Sequence, residues 1–481
     1  MKRREFLKAV AAGTIWMPGA TVGPFGKRDA GRGGKARAPN VVFVFADQWR
    51  AQATGYAGDP NVLTPNLDSL AKESINFTHA VSCCPVCSPY RASLMTGQYP
   101  LTHGVFLNDV YLRSDVVSIA EMFNEAGYET GYIGKWHLDG HGRTNFTPPE
   151  RRQGFQFWKA VECTHRYNDS CYYADENEKL IWDGYDAIAQ TREAQRYIRD
   201  HTGGKPFALF LSWGPPHNPY YTAPEEFQQL YSADDIVLRP NVPERRAESA
   251  RKDLAGYYAH CSALDMCVGD ILTTLKEEGI EDDTVFVFTA DHGDMLGSQG
   301  ESRKQRPWDE SIRVPFLLRY PAQFGQRCTV IDWPLSSPDI MPTLLGLCGI
   351  EPPATVEGTD LAGVLMGEGK PKDEAALIAC YAPFGEWTRA VGGREYRGVR
   401  TTRYTYVRDL NGPWLLYDNR EDPYQLNNRC DDPHHADVRA HLEGILERKL
   451  ELTRDSFLRG EEYVKKWGYV TDENGTVPYK P

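Results

Sequence analysis

Val41-Val42-Phe43-Val44-Phe45-Ala46-Asp47-Gln48 is an apolar run without alternation, closed by a carboxylate and an amide. Three later stretches repeat the arrangement. Gly131-Tyr132-Ile133 leads to Lys135 and His137, Phe207-Ala208-Leu209-Phe210-Leu211 to His217, and Val285-Phe286-Val287-Phe288 to Asp291-His292. A continuous apolar run of this length suits a strand buried on both faces of a parallel sheet, since a strand with one wet face would alternate. Helical patterns lie between these runs, at 67–74, 119–126, 187–200 and 254–278. The expected fold is α/β, with a large mixed, mainly parallel central sheet flanked by helices. Ligands of such sheets bind beyond the carboxyl ends of the strands, so four separate segments would deliver their polar residues to one crevice.

Around Lys370 the composition turns to Lys, Pro, Asp and Glu, which marks a linker. Beyond it, 396–407 and 414–417 read as short strands and 438–453 as a helix. The expected organisation is a leader over 1–38, a catalytic α/β domain over 39–370 and a smaller C-terminal α+β subdomain over 371–481.

The chain has 481 residues and a formal net charge of −12, which excludes a general nucleic-acid binder but leaves room for a local basic pocket. Its 11 cysteines are odd in number and show no disulfide framework. Lys2-Arg3-Arg4-Glu5-Phe6-Leu7-Lys8, followed by a short apolar run, resembles a twin-arginine export signal; a basic surface helix is the alternative. The run is too short and too broken by Gly and Pro to span a bilayer. No stable membrane span is expected, and the export machinery becomes a partner of a periplasmic or secreted protein.

Cys87-Ser88-Pro89-Tyr90-Arg91, followed by Ala-Ser-Leu-Met-Thr96-Gly97, sets a nucleophile beside a helix start. Ser88 reads as the N-cap, Pro89 as the first helical residue and Gly97 as the stop, with Cys87 just outside. Arg91 would fold back toward an oxyanion drawn to the free helix N–H groups. Read alone, Cys84-Pro-Val-Cys87 also suits a redox or metal pair, although no second C-x-x-C completes a zinc site.

The C-x-P-x-R core with its downstream Thr-Gly resembles the formylglycine sulfatases of the alkaline phosphatase superfamily. Gly134-Lys135-Trp136-His137, Pro215-Pro216-His217 and Lys304 within Lys-Gln-Arg-Pro-Trp-Asp-Glu extend the resemblance, which runs from about Pro39 past Asn428. Three positions depart from the commonest pattern: Tyr90 stands for a second serine, Gln48 for a second aspartate, and His292 where asparagine is frequent. The resemblance implies conversion of Cys87 to formylglycine by a formylglycine-generating or sulfatase-maturing enzyme. It further implies a metal held by Asp47, Gln48, Cys87, Asp291 and His292, with Ca2+ expected and Mn2+ the alternative.

By the same resemblance Arg91, Lys135, His137, His217 and Lys304 are catalytic, with His217 facing the leaving oxygen. An aldehyde hydrate keeps a second hydroxyl through which sulfate is expelled, an exit that a serine or cysteine adduct lacks. The implied activity is sulfate-ester hydrolysis on a sulfated polysaccharide or oligosaccharide. Asn108, His165 and Arg166 are candidates for the substrate rim. A phosphonate monoester or phosphodiester hydrolase on the same scaffold, and an inactive anion-binding protein, are the competing readings.

Overall fold

The computed structural model describes residues 38–371 and 374–479, so all of the expected export segment except Ala38 lies outside the described residues. Eight strands form the main sheet: β1 (Asn40–Asp47), β2 (Ile75–Phe77), β3 (Glu129–Lys135), β4 (Phe157–Val161), β5 (Phe207–Pro216), β6 (Thr284–Ala290), β7 (Phe316–Arg319) and β8 (Thr329–Ile331). Their spatial order is β8-β2-β7-β6-β1-β5-β3-β4. The five strands from β6 to β4 run parallel, and β7 returns antiparallel against β6.

β1 is central, with Val41 paired to Ala208 on one side and Val285 on the other. Every residue from Val41 to Ala46 has no solvent exposure, which accounts for the missing alternation. Full burial of each large side chain contributes about 1.5–3 kcal/mol. All four runs read from the sequence are strands of this one sheet.

Helices α1 (Pro65–Ala71), α2 (Cys87–Thr96), α3 (Ile119–Glu125), α4 (Asp186–His201) and α5 (Ala247–Glu277) flank it. Helix α3 starts at a capping box, in which Ser118 and Glu121 exchange side-chain and backbone bonds. Helix α5 begins at Ala247 rather than at 254, because its first turns are polar and carry only part of the apolar stripe.

A second sheet is an antiparallel meander of β9 (Ala375–Cys380), β10 (Tyr396–Thr401), β11 (Tyr404–Asp409) and β12 (Gly412–Asp418), with helix α6 (Ala436–Leu452) packed across it. Strand β9 is absent from the sequence reading. Arg400 of β10 makes a two-pronged ion pair with Asp309 of the main unit, at 2.9 and 3.1 Å. Among the described residues no helix is long and apolar enough to cross a membrane.

Candidate active site

The order β6-β1-β5-β3 sets Asp291-His292, Asp47-Gln48, His217 and Lys135-His137 along one edge of the sheet. Each lies at or just beyond a carboxyl end, as the strand polarity requires. Ligand atoms of Asp47, Cys87, Asp291 and His292 all fall within 4.8 Å of one another, and all four residues are buried. Two carboxylates, an imidazole and position 87 form a donor set that fits a divalent cation.

Cys87 arrives on α2, where one sequence expectation fails. Cys87 is the first helical residue and Val86 the N-cap, with no side-chain cap bond. The Ser88 N–H is instead accepted by Asn108 Oδ1 at 3.1 Å. Asn108 thus spends its amide oxygen on holding the nucleophile helix. Gly97 ends the helix as expected, at φ +65°. All eleven cysteines are free, and burial drives the Cys84 thiol well above its ordinary value, so Cys84 is a poor thiolate partner for Cys87.

Arg91 turns toward Asp291 and Asp47. It is fully buried and donates to Asp291 Oδ2 at 2.9 Å, Ser212 Oγ at 2.6 Å and the Lys135 carbonyl at 2.8 Å, with Asp47 Oδ2 at 3.5 Å. The guanidinium is committed to the carboxylates and to β3 and β5. Lys135 pairs with Asp47 Oδ2.

Lys304 Nζ reaches Gln48 Oε1 at 3.0 Å, Cys87 Sγ at 3.3 Å and His217 Nε2 at 2.8 Å. Its neighbour Gln305 is anchored to the Phe384 backbone in both directions, so the segment after β9 fixes the loop that delivers this lysine.

The pKa shifts follow from this crowding. Burial and Asp47 push the Cys87 thiol up, but Lys135, Lys304 and His292 together hold it well below its ordinary value. Asp47 is held low against burial, chiefly by Lys135, with Lys304 and Arg91 assisting. Asp291 moves up through burial and repulsion from Asp47. Burial and Lys304 drive His217 well below its ordinary value, leaving a neutral imidazole. His137 is raised to about 10 against its own burial, by the Cys163 thiolate and its bonds to Asp109 and Cys87.

Of the other expected rim residues, His165 stacks on His217 with ring centroids 4.6 Å apart. Arg166 is exposed and donates to the Asn168 carbonyl of its own loop.

Three contributors escaped the sequence reading. Asp294 accepts from Gln48 Nε2 at 2.6 Å, which turns the amide oxygen toward Lys304. Asp109 lies 3.3 Å from His137 Nε2 and takes a two-pronged pair from Arg143 at 2.8 Å. Cys163, beside Lys135 and His137, is brought down to about 5 by them despite burial. The positive φ of Gln48 (+69°), Asp109 (+64°) and His137 (+59°) is the kind of local strain that clusters at functional sites.

This sheet edge and its packed charges are those of the alkaline phosphatase superfamily of ester hydrolases. A solved structure from work on glycosaminoglycan metabolism by Bacteroides thetaiotaomicron superposes with a TM-score of 0.80 at 29% identity, covering 92% of this chain and 100% of that one. The family model described as Sulfatase matches residues 39–350, and N-sulphoglucosamine sulphohydrolase, C-terminal, matches 297–452. The chain belongs to the sulfatase family and is a sulfuric ester hydrolase. An ulvan-active sulfatase of Formosa agariphila is 44% identical over 92% of this chain and 87% of its own length. An endo-4-O-sulfatase of Bacteroides thetaiotaomicron is 32% identical over 82% and 88%.

Proposed function

We propose that this sulfatase removes sulfate from a sulfated polysaccharide or its oligosaccharides, outside the cytoplasm after twin-arginine export. We infer that it uses formylglycine made from Cys87 and a divalent cation, Ca2+ with Mn2+ as the alternative, held by Asp47, Gln48, Asp291 and His292. The observation that carries this reading is the convergence of Asp47, Cys87, Asp291 and His292 within 4.8 Å at the start of α2. The carbohydrate assignment draws on relatives named for ulvan and for 4-O-sulfate groups.

When present, the cation and the aldehyde hydrate would supply an activated hydroxyl as the nucleophile toward sulfur. The protein does the rest. Lys135 and Lys304 offset charge on the sulfuryl oxygens in a site without bulk water, where fixed charges act strongly. Arg91 holds the two carboxylates in place.

His217 is the proton donor to the leaving alcohol. In the structure its Nε2 accepts from Lys304, so a bound sulfate must first draw the ammonium onto its own oxygens. That exchange weakens the Lys304 repulsion, which together with burial keeps His217 neutral, and so favours uptake of the proton it delivers. The proton released as sulfate leaves passes toward His137, whose charge in the thiol form is favoured chiefly by Cys163, with Asp109 and Cys87 assisting.

Gln48, standing where a second aspartate is commonest in sulfatases, favours a second reading, a phosphonate monoester or phosphodiester hydrolase on the same scaffold. The test is peptide mass spectrometry of the Cys87 segment from protein made in a maturation-competent host, with paired assays on an aryl sulfate and a phosphodiester. Formylglycine with preferred sulfate release, both lost in Cys87→Ala, is the expected result. An unmodified thiol in active protein overturns the mechanism, and faster phosphodiester cleavage moves the assignment to the second reading.

A further inference from the structure

Behind the segment that carries Asp47 and Gln48, a cavity of about 460 Å³ opens between the 50–61 stretch, the 237–242 loop and Pro423-Tyr424. None of the active-site side chains lines it. Its volume falls in the range of small-molecule sites, about 300–1,000 Å³.

The wall carries three guanidiniums, of Arg50, Arg239 and Arg313, against one carboxylate, Asp59. Arg239 is paired with Glu310 at 3.0 Å and Arg313 with Asp309 at 2.9 Å. Arg50 differs. It is 1% exposed, and among the described residues no carboxylate comes within ion-pair distance of it. Its Nη2 makes one long bond to Tyr258 Oη at 3.4 Å, and its Nε has no partner. Asp59 does not answer it, because Asp59 Oδ2 accepts from Tyr258 and Oδ1 from Asn61 and Val62.

A buried guanidinium with most of its five donors unused is costly unless something anionic meets it. Burial works against its charge, yet a guanidinium does not give up its proton, and Asp59 and Glu310 favour the charged form. Arg313 Nε and the Gln52 Oε1 acceptor on the same wall are also unpartnered. The aromatic ring of Tyr424 sits 4.9 Å from the Arg239 guanidinium and supplies a flat side.

We propose that this cavity is an oxyanion-binding site separate from the catalytic crevice, taking the carboxylate or sulfate of a single acidic sugar unit. Arg50 is the central anion ligand, with Arg239 and Arg313 at its flanks and Gln52 accepting from a hydroxyl. The site adjoins the catalytic segment through a short relay. The Arg50 N–H donates to Tyr257 Oη, and that hydroxyl donates to the Gln48 carbonyl, both at 2.9 Å.

The test uses selenate as an anomalous-scattering stand-in for sulfate in crystals of the wild-type protein, with selenate titration by calorimetry in solution. The expected result is an anomalous peak against Arg50 besides any in the catalytic crevice, and a second binding event in solution. Arg50→Met should remove that peak and weaken the second event at least tenfold while leaving the crevice peak in place. Arg239→Gln, at a partly exposed position, should weaken it several-fold and keeps the test alive if Arg50→Met does not fold.

Displacement of cavity selenate by D-glucuronate at lower concentration than by inorganic sulfate identifies a sugar acid as the source. Equal displacement identifies a simple oxyanion, and both results support the site. A peak confined to the catalytic crevice, or titrations identical between wild type and Arg239→Gln, overturns it. Because selenate binding is read without turnover, failure here is separable from failure of the sulfatase mechanism.

Discussion

Replacing Arg91 with methionine tests whether this residue holds the carboxylates or clamps the substrate. The side chain is fully buried and bonded to Asp291, Ser212 and the Lys135 carbonyl. Removing one member of a buried ion pair costs about 3–5 kcal/mol, because the other charge stays behind. The Ser212 hydroxyl loses its donor, worth about 1 kcal/mol more. The Lys135 carbonyl does not, since Tyr132 Oη still donates to it at 2.6 Å.

The sum is about 4–6 kcal/mol, a large part of the 5–15 kcal/mol typical of folded domains. A bound cation would itself neutralise Asp47 and Asp291, so the loss should be largest in chelator and shrink when Ca2+ is restored. Urea unfolding followed by tryptophan fluorescence, with EDTA and with Ca2+, reads both values, and Arg91→Lys should fall between methionine and wild type. If Arg91→Met unfolds at the wild-type urea concentration in EDTA while inhibition by free sulfate weakens tenfold, the guanidinium is a substrate clamp and does not hold the carboxylates.

His217→Asn should lower turnover of a sugar sulfate by about 10²–10⁴-fold, but that of nitrophenyl sulfate, whose leaving group needs no proton, far less; equal losses would remove the proton-donor role. Asp186 is lifted to about 7 by burial, against help from Ser170 and the Ala187 N–H. An acid with a raised folded pKa contributes stability that is fully present below its unfolded value and fades as pH rises through about 7. Wild type should therefore lose on the order of 4 kcal/mol from this group between pH 4 and 8. Asp186→Asn should flatten that difference in paired urea titrations, and parallel curves would refute it. Gly134→Ala should abolish folding or sharply lower Tm, because φ is +103° and the new Cβ would lie 2.0 Å from the Ser212 carbonyl oxygen. Gly127→Ala, at φ +85° with open space around it, should cost only about 1–2 kcal/mol.

The sheet was legible because burial on both faces erases alternation, and a parallel sheet then gathers the ends of its strands. Asp47, Lys135, His217 and Asp291 each follow an apolar run, so one rule located all four without any knowledge of their partners. Cys87 and Arg91 show where that logic stops. The local preferences of Ser88 and Pro89 favour a helix start two residues later, at Pro89. Asn108, twenty positions away, accepts the Ser88 N–H and lets the helix begin at Cys87 itself. Arg91 was assigned by its distance along the helix, but its direction is set by Ser212 and Asp291, 121 and 200 residues off. Asp294 and Asp109 were invisible for the same reason: each acts on a residue far away in the chain, 246 positions for Gln48 and 28 for His137. Strand periodicity thus reports which residues reach the crevice, whereas the direction each charge faces depends on partners that no local pattern encodes. The supporting carboxylates and Arg91 consequently become apparent only once the sheet order is known.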